Sequence, residues 1–477
     1  MLKKTWMTIC LTALVGIASP ALAATWYVAP LGAVFPGVPN GTIVNPFVST
    51  DTALASGMIQ GGDTVLLMDG AHPMLRVQTA FSTPVTFESQ TDRRARVDSI
   101  YLSGAARNII VRDLKVWPTN PLVRQSVLVV SSSTTSDNQF VNLDVRAGED
   151  AYNYPAWSAS EWANRKTSGA FLDGARLQMR QSNFTGVYFG VVVSGDSGLV
   201  AGNTIDGFSG DGLRGNGPRG TFRDNIAQNC ANFDGNHADG FQAFSQGTIT
   251  GLTIERNIFI EWMHEPNHPL RCEMQGIGLF EMEYSDLRIA NNVIAIGNGH
   301  GISVYGGHGV EIVNNTVVNI DGLQPGWPWI GIYDSKTGVV STDVLVANNL
   351  AMGYMGSNNK PNRVTFTSNR TVRSVSFAFP NWQSFVYTIR PDGRFIDAAD
   401  PTFAPDLDIL RRARPVGQGP DLGAYEMSTL AAAPALSDVV LEPPPIITAE
   451  TDAAEAAAIA GTTAKTSSGG AKFIKAP

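Results

Sequence analysis

A repeat of short strands runs through the middle of the chain and limits the folds that it can adopt. From residue 168 onward a glycine recurs at spacings of 21, 22, 28, 36, 25 and 30 residues, and an apolar residue follows it each time. An apolar residue at this place fits the inward side of a strand, because successive side chains point to opposite faces. Such spacings predict a β-solenoid, whose coils bury their apolar sides against their neighbours. The seven glycines are Gly169, Gly190, Gly212, Gly240, Gly276, Gly301 and Gly331.

A second column consists of asparagines near the middle of each repeat. Six of the seven precede Val, Ile or Leu by one or two positions, and we expect their amides to sit in turns and to bond to their equivalents in the neighbouring coils. Helical periodicity is weak in this region. The pattern therefore predicts an all-β chain, a right-handed parallel β-helix with coils ~4.8 Å apart. The asparagines are Asn183, Asn203, Asn225, Asn257, Asn292, Asn315 and Asn349.

The two ends of the chain differ from the repeat. Residues 1–23 combine Lys3 and Lys4 with an apolar run and a small-x-small ending, the pattern of a secretory signal peptide. We therefore expect a secreted or periplasmic protein whose β-helix spans residues 24–427. Residues 428–477 are rich in Ala, Thr, Ser and Pro and predict a flexible tail. No later stretch has the ~18 to 20 apolar residues of a membrane span, so we expect no membrane partner, and we expect a monomer.

Charge and cysteine content narrow the possible partners. The formal net charge is −8, and it becomes −10 without Lys3 and Lys4. An acidic body argues against nucleic acid as a partner, because phosphate binding needs a concentrated basic face. Removal of the signal peptide leaves Cys230 and Cys272. In an oxidising compartment these two form either a disulfide or two buried thiols, and the sequence leaves both open.

The ends of the predicted β-helix resemble a known superfamily. Residues 25–30 (TWYVAP) and 61–70 (GGDTVLLMDG) are similar to the opening of bacterial secreted proteins of the pectate-lyase-like superfamily, and residues 420–426 (PDLGAYE) are similar to their final coil. The resemblance covers residues 25–427 and implies a right-handed parallel β-helix. It does not imply one reaction, because the superfamily contains lyases, hydrolases, epimerases and adhesins.

Alignment of the coils by their glycines brings polar side chains of the middle coils into a vertical file. The position before each glycine contains Asp211, Asp239 and His300, and the second position after it contains Arg214 and Gln242. The flanking coils place apolar residues at the same positions. A polysaccharide lying across the coils would meet this file, and we expect a polysaccharide as the partner.

Two long loops accompany the file, and histidines cluster around them. Five of the six histidines lie between residues 237 and 308. His237 lies on the loop 230–238, and the loop 261–274 contains His264, His268 and Arg271. Loops on a rigid scaffold often carry function, and histidine exchanges protons near neutral pH. Each of these histidines taken singly also fits a structural role in a turn.

These residues fit the abstraction of the C5 proton of a uronate, followed by β-elimination. Arg214 or Arg271 would neutralise the carboxylate, helped by Ca²⁺ on Asp211 and Asp239. His237, or else His300, would be the base, with Asp239 orienting His237, and Tyr305 would protonate the leaving oxygen. We expect Gln242, His264 and His268 to contribute to binding of this acidic polysaccharide.

Two other functions remain open. Asp211 and Asp239 on adjacent coils would suit the carboxylate pair of a retaining glycoside hydrolase, and residues 237–241 and 299–303 are similar to two motifs of the polygalacturonases. However, the intervening coil lacks the Asp-Asp pair of those enzymes, and no Arg-x-Lys follows. The third possibility is a non-catalytic carbohydrate-binding or adhesive solenoid.

Overall fold

The computed structural model describes residues 23–120, 126–244, 247–322, 326–357, 363–391 and 393–427. Within these residues the chain forms a parallel β-helix with three sheets, which confirms the predicted fold class. The tail at 428–477 and all but the last residue of the predicted signal peptide lie outside the described residues, so both stay predictions. No helix among the described residues has the length and apolarity that a membrane crossing requires.

Along the chain the strands recur in the order sheet A, sheet B, sheet C, and one coil contributes two short strands to sheet A. Sheet A consists of Thr25–Val28, Thr64–Leu67, Ala80–Ser89, Arg107–Arg112, Gln139–Val141, Gln178–Arg180, Leu199–Ala201, Thr221–Arg223, Ile249–Thr250, Thr253–Glu255, Tyr284–Ala290, Gly307–Val313, Thr342–Ala347 and Val364–Thr367. Sheet B consists of Gly70–His72, Ala95–Val97, Lys115–Val116, Asp144–Arg146, Asn183–Val187, Thr204–Phe208, Ile226–Cys230, Ile258–Ile260, Val293–Ile296, Thr316–Asn319, Leu350–Ala351 and Arg370–Thr371. Sheet C consists of Leu75–Val77, Ile100–Leu102, Val127–Ser131, Ser168–Leu172, Val191–Val193, Leu213–Gly215, Asp239–Gln242, Gln275–Leu279, His300–Tyr305, Gly326–Tyr333 and Gly353–Ser357.

The helices of the described residues are short and lie outside the coils. The α-helices are Thr50–Ala55, Ala159–Asn164 and Val375–Ala378, and the 3₁₀ helices are Ala151–Ala156 and Trp382–Ser384. The insertion that contains Ala151–Ala156 and Ala159–Asn164 packs aromatic side chains on the outer face of sheet B. One continuous apolar core fills the space between the three sheets, from Val28 to Val364.

The C-terminal residues from about 372 onward fold back onto the coils. Their apolar side chains pack on strands of sheet B around Ile260 and Val293. Arg411 forms an ion pair with the buried Asp224, which also pairs with Arg256 at 2.8 Å. The C-terminal residues thus cover strands of sheet B, whereas the predicted polar file lies on sheet C.

The asparagine column forms a ladder at the corner between sheets A and B. Six of its seven side-chain amide nitrogens donate to the amide oxygen of the asparagine in the next coil, at 2.9 to 3.0 Å. The prediction is wrong for Asn183, whose side chain is exposed, because the preceding Ser182 occupies the inward position in that coil. The ladder consists of Asn203, Asn225, Asn257, Asn292, Asn315, Asn349 and Asn369.

The glycine register is confirmed from Gly169 to Gly301 and wrong for Gly331. Strand pairing aligns the residues that follow the first six glycines. A register irregularity between His300 and Ile302 then pairs His300 with Trp329 and Ser303 with Gly331. Trp329, not Ile330, therefore continues the column of Asp211, Asp239 and His300.

Candidate functional site

The two long loops between sheets B and C are joined at their bases. The structure pairs Cys230 with Cys272 in a disulfide, with 5.6 Å between their Cα atoms. Beside it, Ala231 and Arg271 form an antiparallel bridge, and the Cys272 N–H donates to the Cys230 carbonyl at 3.1 Å. These contacts hold the loop that carries His237 next to the start of the sheet C strand Asp239–Gln242.

Five of the predicted residues form a polar cluster on sheet C, made of Asp211, Arg214, His237, Asp239 and Gln242. The Arg214 guanidinium pairs with Asp211, and the Asp239 N–H donates to Asp211 Oδ1 at 3.0 Å. His237 Nδ1 lies 3.7 Å from Asp239 Oδ2, an ion-pair distance. Gln242 Nε2 donates to the same oxygen at 3.2 Å. Strand pairing therefore brings together residues that lie on two coils and one loop.

Exposure divides the polar cluster into accessible and inaccessible groups. The expectation that both aspartates point to solvent is wrong: their side chains are only 1% and 0% exposed. Both precede a glycine at the start of a strand, where their side chains lie beneath Arg214 and His237 rather than on the surface. The imidazole of His237 is 68% exposed and the guanidinium of Arg214 is 25% exposed. Among Asp211, Asp239 and His237, the side chain of His237 is thus the most accessible to a substrate.

Burial and neighbouring charges shift the proton affinities in the polar cluster. Burial raises the pKa of Asp239 to about 7, with the nearby Asp211 adding to the rise and His237 opposing it. Burial also raises the pKa of Asp211, against the opposing effect of Arg214. The Asp239 carboxylate raises the pKa of His237 through their contact. Asp239 and His237 therefore form a coupled pair, in which the ionised Asp239 carboxylate favours the protonated form of the imidazole.

Three other predicted residues lie on the loop 261–274, in contacts separate from the polar cluster. Arg271 pairs with the buried Glu261 at 2.7 Å and with Asp321 at 2.8 Å. His264 Nε2 lies 2.9 Å from the hydroxyl of Tyr154, in the insertion on sheet B. The His268 ring stacks on Trp262, with centroids 5.0 Å apart. These contacts hold the loop down.

His300 and Tyr305 belong to a second surface, which we call the aromatic patch. Its members cover the outer face of sheet C over the coils that follow the polar cluster. The His300 ring contacts Trp329 at 4.9 Å between centroids, and Tyr305 contacts Tyr333 at 4.8 Å. Burial lowers the pKa of His300. The aromatic patch consists of Phe280, His300, Tyr305, Trp327, Trp329, Tyr333 and Tyr354.

The strand register separates Tyr305 from His237. From Asp239, two coil steps of ~4.8 Å lead to the strand His300–Tyr305, and Tyr305 lies five residues of ~3.3 Å further along it. A single sugar residue cannot contact both side chains at this separation. The structure therefore does not bring Tyr305 together with the first of the two predicted bases, His237, whereas the alternative base, His300, lies in the same patch as Tyr305 and contacts the same ring, Phe280.

Sequence reasoning missed two features of this face. Phe280 and Tyr354 extend the aromatic patch, and their rings lie over Gly278 and Gly356, where a side chain would collide with them or crowd them. Outward-facing glycines in an otherwise polar file were the available signal. Lys166 was also missed: its Nζ pairs with Asp234 at 2.9 Å and lies 3.9 Å from the ring centre of Tyr188, on the side of the loop 230–238.

The polar cluster does not fit a calcium site as it stands. Calcium takes 6 to 8 oxygen ligands, whereas Arg214 and the Asp239 N–H engage both oxygens of Asp211. Within the described residues, no group of three or more His, Cys, Asp or Glu side chains is arranged to hold a metal ion. Calcium stays a prediction that the structure does not test, and no step below depends on it.

Comparisons with known proteins bear on the fold. No curated protein sequence matches the chain significantly. Among solved structures, the pectate lyase Pel9A is 14% identical with a TM-score of 0.42, covering 87% of this chain and 98% of that one. The Dettilon tailspike protein is 14% identical with a TM-score of 0.46, covering 68% and 62%. A polysaccharide lyase of family PL6 from Pseudopedobacter saltans is 13% identical with a TM-score of 0.41, covering 80% and 99%.

The family comparison matches the coils that carry the site. The family model described as the right handed beta helix region matches residues 168–376. This range includes the polar cluster and the aromatic patch. Together with the three parallel sheets, the match identifies a right-handed parallel β-helix, which is the fold that the resemblance to the pectate-lyase-like superfamily implied.

Proposed function

We propose that the protein is a polysaccharide-active enzyme that abstracts the C5 proton of a uronate residue, with His237 as the base. One observation carries the proposal: a 68% exposed imidazole lies 3.7 Å from a carboxylate that is fully buried. A buried carboxylate behind an imidazole orients the ring and stabilises its protonated form, as in other acid–base sites. A histidine with only a structural role would not need to expose its imidazole beside this carboxylate.

The elimination can be written with the residues of the polar cluster alone. Neutral His237 takes the C5 proton, the electron pair of the C–H bond moves toward the uronate carboxylate, and Asp239 stabilises the imidazolium that forms. The electron pair then forms the C4=C5 double bond and expels the glycosidic oxygen at C4. His237 returns its proton to that oxygen, which replaces the predicted role of the distant Tyr305.

Arg214 and Gln242 support this chemistry from neighbouring coils. Arg214 is partly exposed, and its register neighbour in the next coil is Gln242. Neutralisation of the substrate carboxylate by Arg214 increases the acidity of the C5 proton, because the developing negative charge lies on that carboxylate. The substrate that fits is an acidic polysaccharide bound on the outer face of sheet C.

Glycoside hydrolysis is the second candidate. Asp211 and Asp239 lie on neighbouring coils, and a pKa of about 7 for Asp239 suits a general acid. Against it stands the burial of both carboxyl groups, since an acid that is 0% exposed reaches no glycosidic oxygen without a rearrangement of His237.

Incubation with acidic and neutral polysaccharides tests the proposal. We expect new ultraviolet absorbance from the C4=C5 double bond, and we expect His237→Ala to reduce the rate by about 10² to 10⁴-fold. His308→Ala is the matched control, because His308 lies on sheet A. Reducing ends without new absorbance would favour the hydrolase, and binding without any product would favour a non-catalytic solenoid.

The proposal also includes three expectations from the sequence: export after removal of the signal peptide, a monomeric state, and calcium as a cofactor. Amino-terminal sequencing of the exported chain should begin at residue 24 if the signal peptide ends at residue 23. Light scattering should give the mass of one chain. Calorimetric titration tests the predicted Ca²⁺: binding that Asp239→Asn weakens would support it, and a flat titration would remove calcium from the proposal.

A further inference from the structure

The outer face of sheet C changes character from one end of the site to the other. Around the polar cluster the face carries two cationic groups, each paired with one carboxylate. Arg214 pairs with Asp211 and lies 4.5 Å from the ring centre of Phe189, and Lys166 pairs with Asp234 and has 37% of its side chain exposed. Three coils further on, at ~4.8 Å per coil, the column reaches Trp329 and the surface is aromatic. The two halves are continuous on one sheet.

Acidic side chains border the aromatic patch. Among the described residues, Glu281 and Glu283 lie at the corner between sheets C and A, directly after the strand Gln275–Leu279, and Lys336 lies at the same corner after the strand Gly326–Tyr333. Lys336 pairs with Glu281 at 2.5 Å. An anionic sugar at this place would meet a surplus of negative charge and the negative faces of aromatic rings.

The accessible rings of the aromatic patch are suited to uncharged sugars. Trp327 is 44% exposed and Tyr354 is 50% exposed, while the ring of Trp329 stacks on Tyr354 at 5.5 Å with an angle of 22° between planes. Flat, partly exposed rings offer apolar area to the C–H faces of a sugar. The ring edges and the tyrosine hydroxyl groups can interact with the hydroxyl groups around the edge of the sugar. One coil step is close to the length of one sugar residue.

We infer that the substrate is a mixed polysaccharide, in which a uronate lies at the polar cluster and uncharged sugars of the same chain stack on the aromatic patch. The inference rests on the proposed function for the uronate half. Charge complementarity and continuity with the polar cluster carry the other half. A polymer made only of uronates would place its carboxylates on the patch beside Glu281 and Glu283 and would bind less well.

Affinity electrophoresis of the folded protein tests the inference. His237→Ala prevents turnover, and the gels contain alginate, which is all uronate, gellan, in which neutral sugars separate the uronates, or a neutral mixed-linkage β-glucan. We expect gellan to retard the protein most. Tyr354→Ala should weaken gellan binding about tenfold, which corresponds to about 1.4 kcal/mol, and should weaken alginate binding less.

Two further variants keep the test interpretable. Trp329→Ala should also weaken gellan binding. If that variant fails to fold, Trp329→Phe retains a ring at this half-buried position and should weaken gellan binding as well. Tyr152→Ala is the matched control, because Tyr152 is 64% exposed and lies on the insertion at sheet B. Alginate retardation equal to that of gellan, gellan binding unaffected by Tyr354→Ala, or no retardation by any polymer would overturn the inference.

The two proposals fail in different ways. If the proposed reaction is wrong, the wild-type protein forms no unsaturated product, while retardation by gellan and its loss in Tyr354→Ala persist. If the mixed substrate is wrong, alginate is converted to unsaturated product and the aromatic substitutions change neither binding nor rate.

Discussion

Substitution of Asn257 by alanine removes one rung of the asparagine ladder, and its cost can be worked out from the hydrogen bonds of that rung. The side-chain oxygen of Asn257 accepts from the amide nitrogen of Asn225 at 2.9 Å and from the Asn225 N–H at 3.1 Å. Its side-chain nitrogen donates to the Phe222 carbonyl at 2.9 Å and to the Asn292 side chain at 3.0 Å. At ~1 kcal/mol net per bond, the loss of these four bonds should lower the free energy of unfolding by about 4 kcal/mol.

Asn183→Ala is the matched control, because the sequence places Asn183 in the same column while its side chain is exposed. Its cost should stay within about 0.5 kcal/mol. Urea unfolding followed by circular dichroism and by tryptophan fluorescence measures both variants, and the comparison is valid where the two probes coincide and the slopes match wild type. Equal costs for the two substitutions would show that the ladder contributes no more stability than surface amides do.

Two further substitutions address the site loops and the buried acid. Replacing both Cys230 and Cys272 by alanine frees a loop closed over a sequence separation of 42 residues, and chain entropy predicts a loss of ~4 kcal/mol; thermal unfolding equal to wild type would contradict this. Asp239→Asn should stabilise the protein at pH 8 by a few kcal/mol. The folded-state pKa of about 7 lies above the ordinary 3.8, so the contribution of Asp239 to stability is fully present below pH 3.8 and is lost as pH rises through 7. The advantage of the variant should shrink from pH 7 toward pH 4, and an advantage independent of pH would refute the assignment.

The sequence predicts the coils well because glycine spacing and apolar alternation report directly on packing. The register from Gly169 to Gly301 follows from these features alone, and so does the polar file of Arg214 and Gln242. The register fails at Gly331 because a local irregularity shifts the pairing after His300. Such a shift depends on how rings and glycines pack across coils, and spacing along the chain carries no record of it.

Exposure of the site residues was harder to predict than their alignment. Asp211 and Asp239 share a column, as the glycines indicate, yet neither is exposed. A residue at the start of a strand can turn beneath its neighbours, and which neighbour covers it depends on the long loop that delivers His237. The full extent of the aromatic patch escaped prediction for a related reason: Phe280 and Tyr354 lie at different offsets from their glycines and meet the other members only through their rings.

The asparagine ladder and the site occupy the same coils, which links stability to geometry. The coil of Asn203 carries Arg214, the coil of Asn225 carries Asp239, and the following rungs belong in turn to the coils of Phe280, His300, Trp329 and Tyr354. Slippage of one strand by one residue would turn its outward side chains into the core. Each rung bonds only when its coil is in register at this corner, so the ladder limits slippage of the strands that lead into sheet C, while the local shift at His300 occurs with its rung intact. Asn257→Ala should therefore weaken gellan binding as well as stability, whereas Asn183→Ala should change neither.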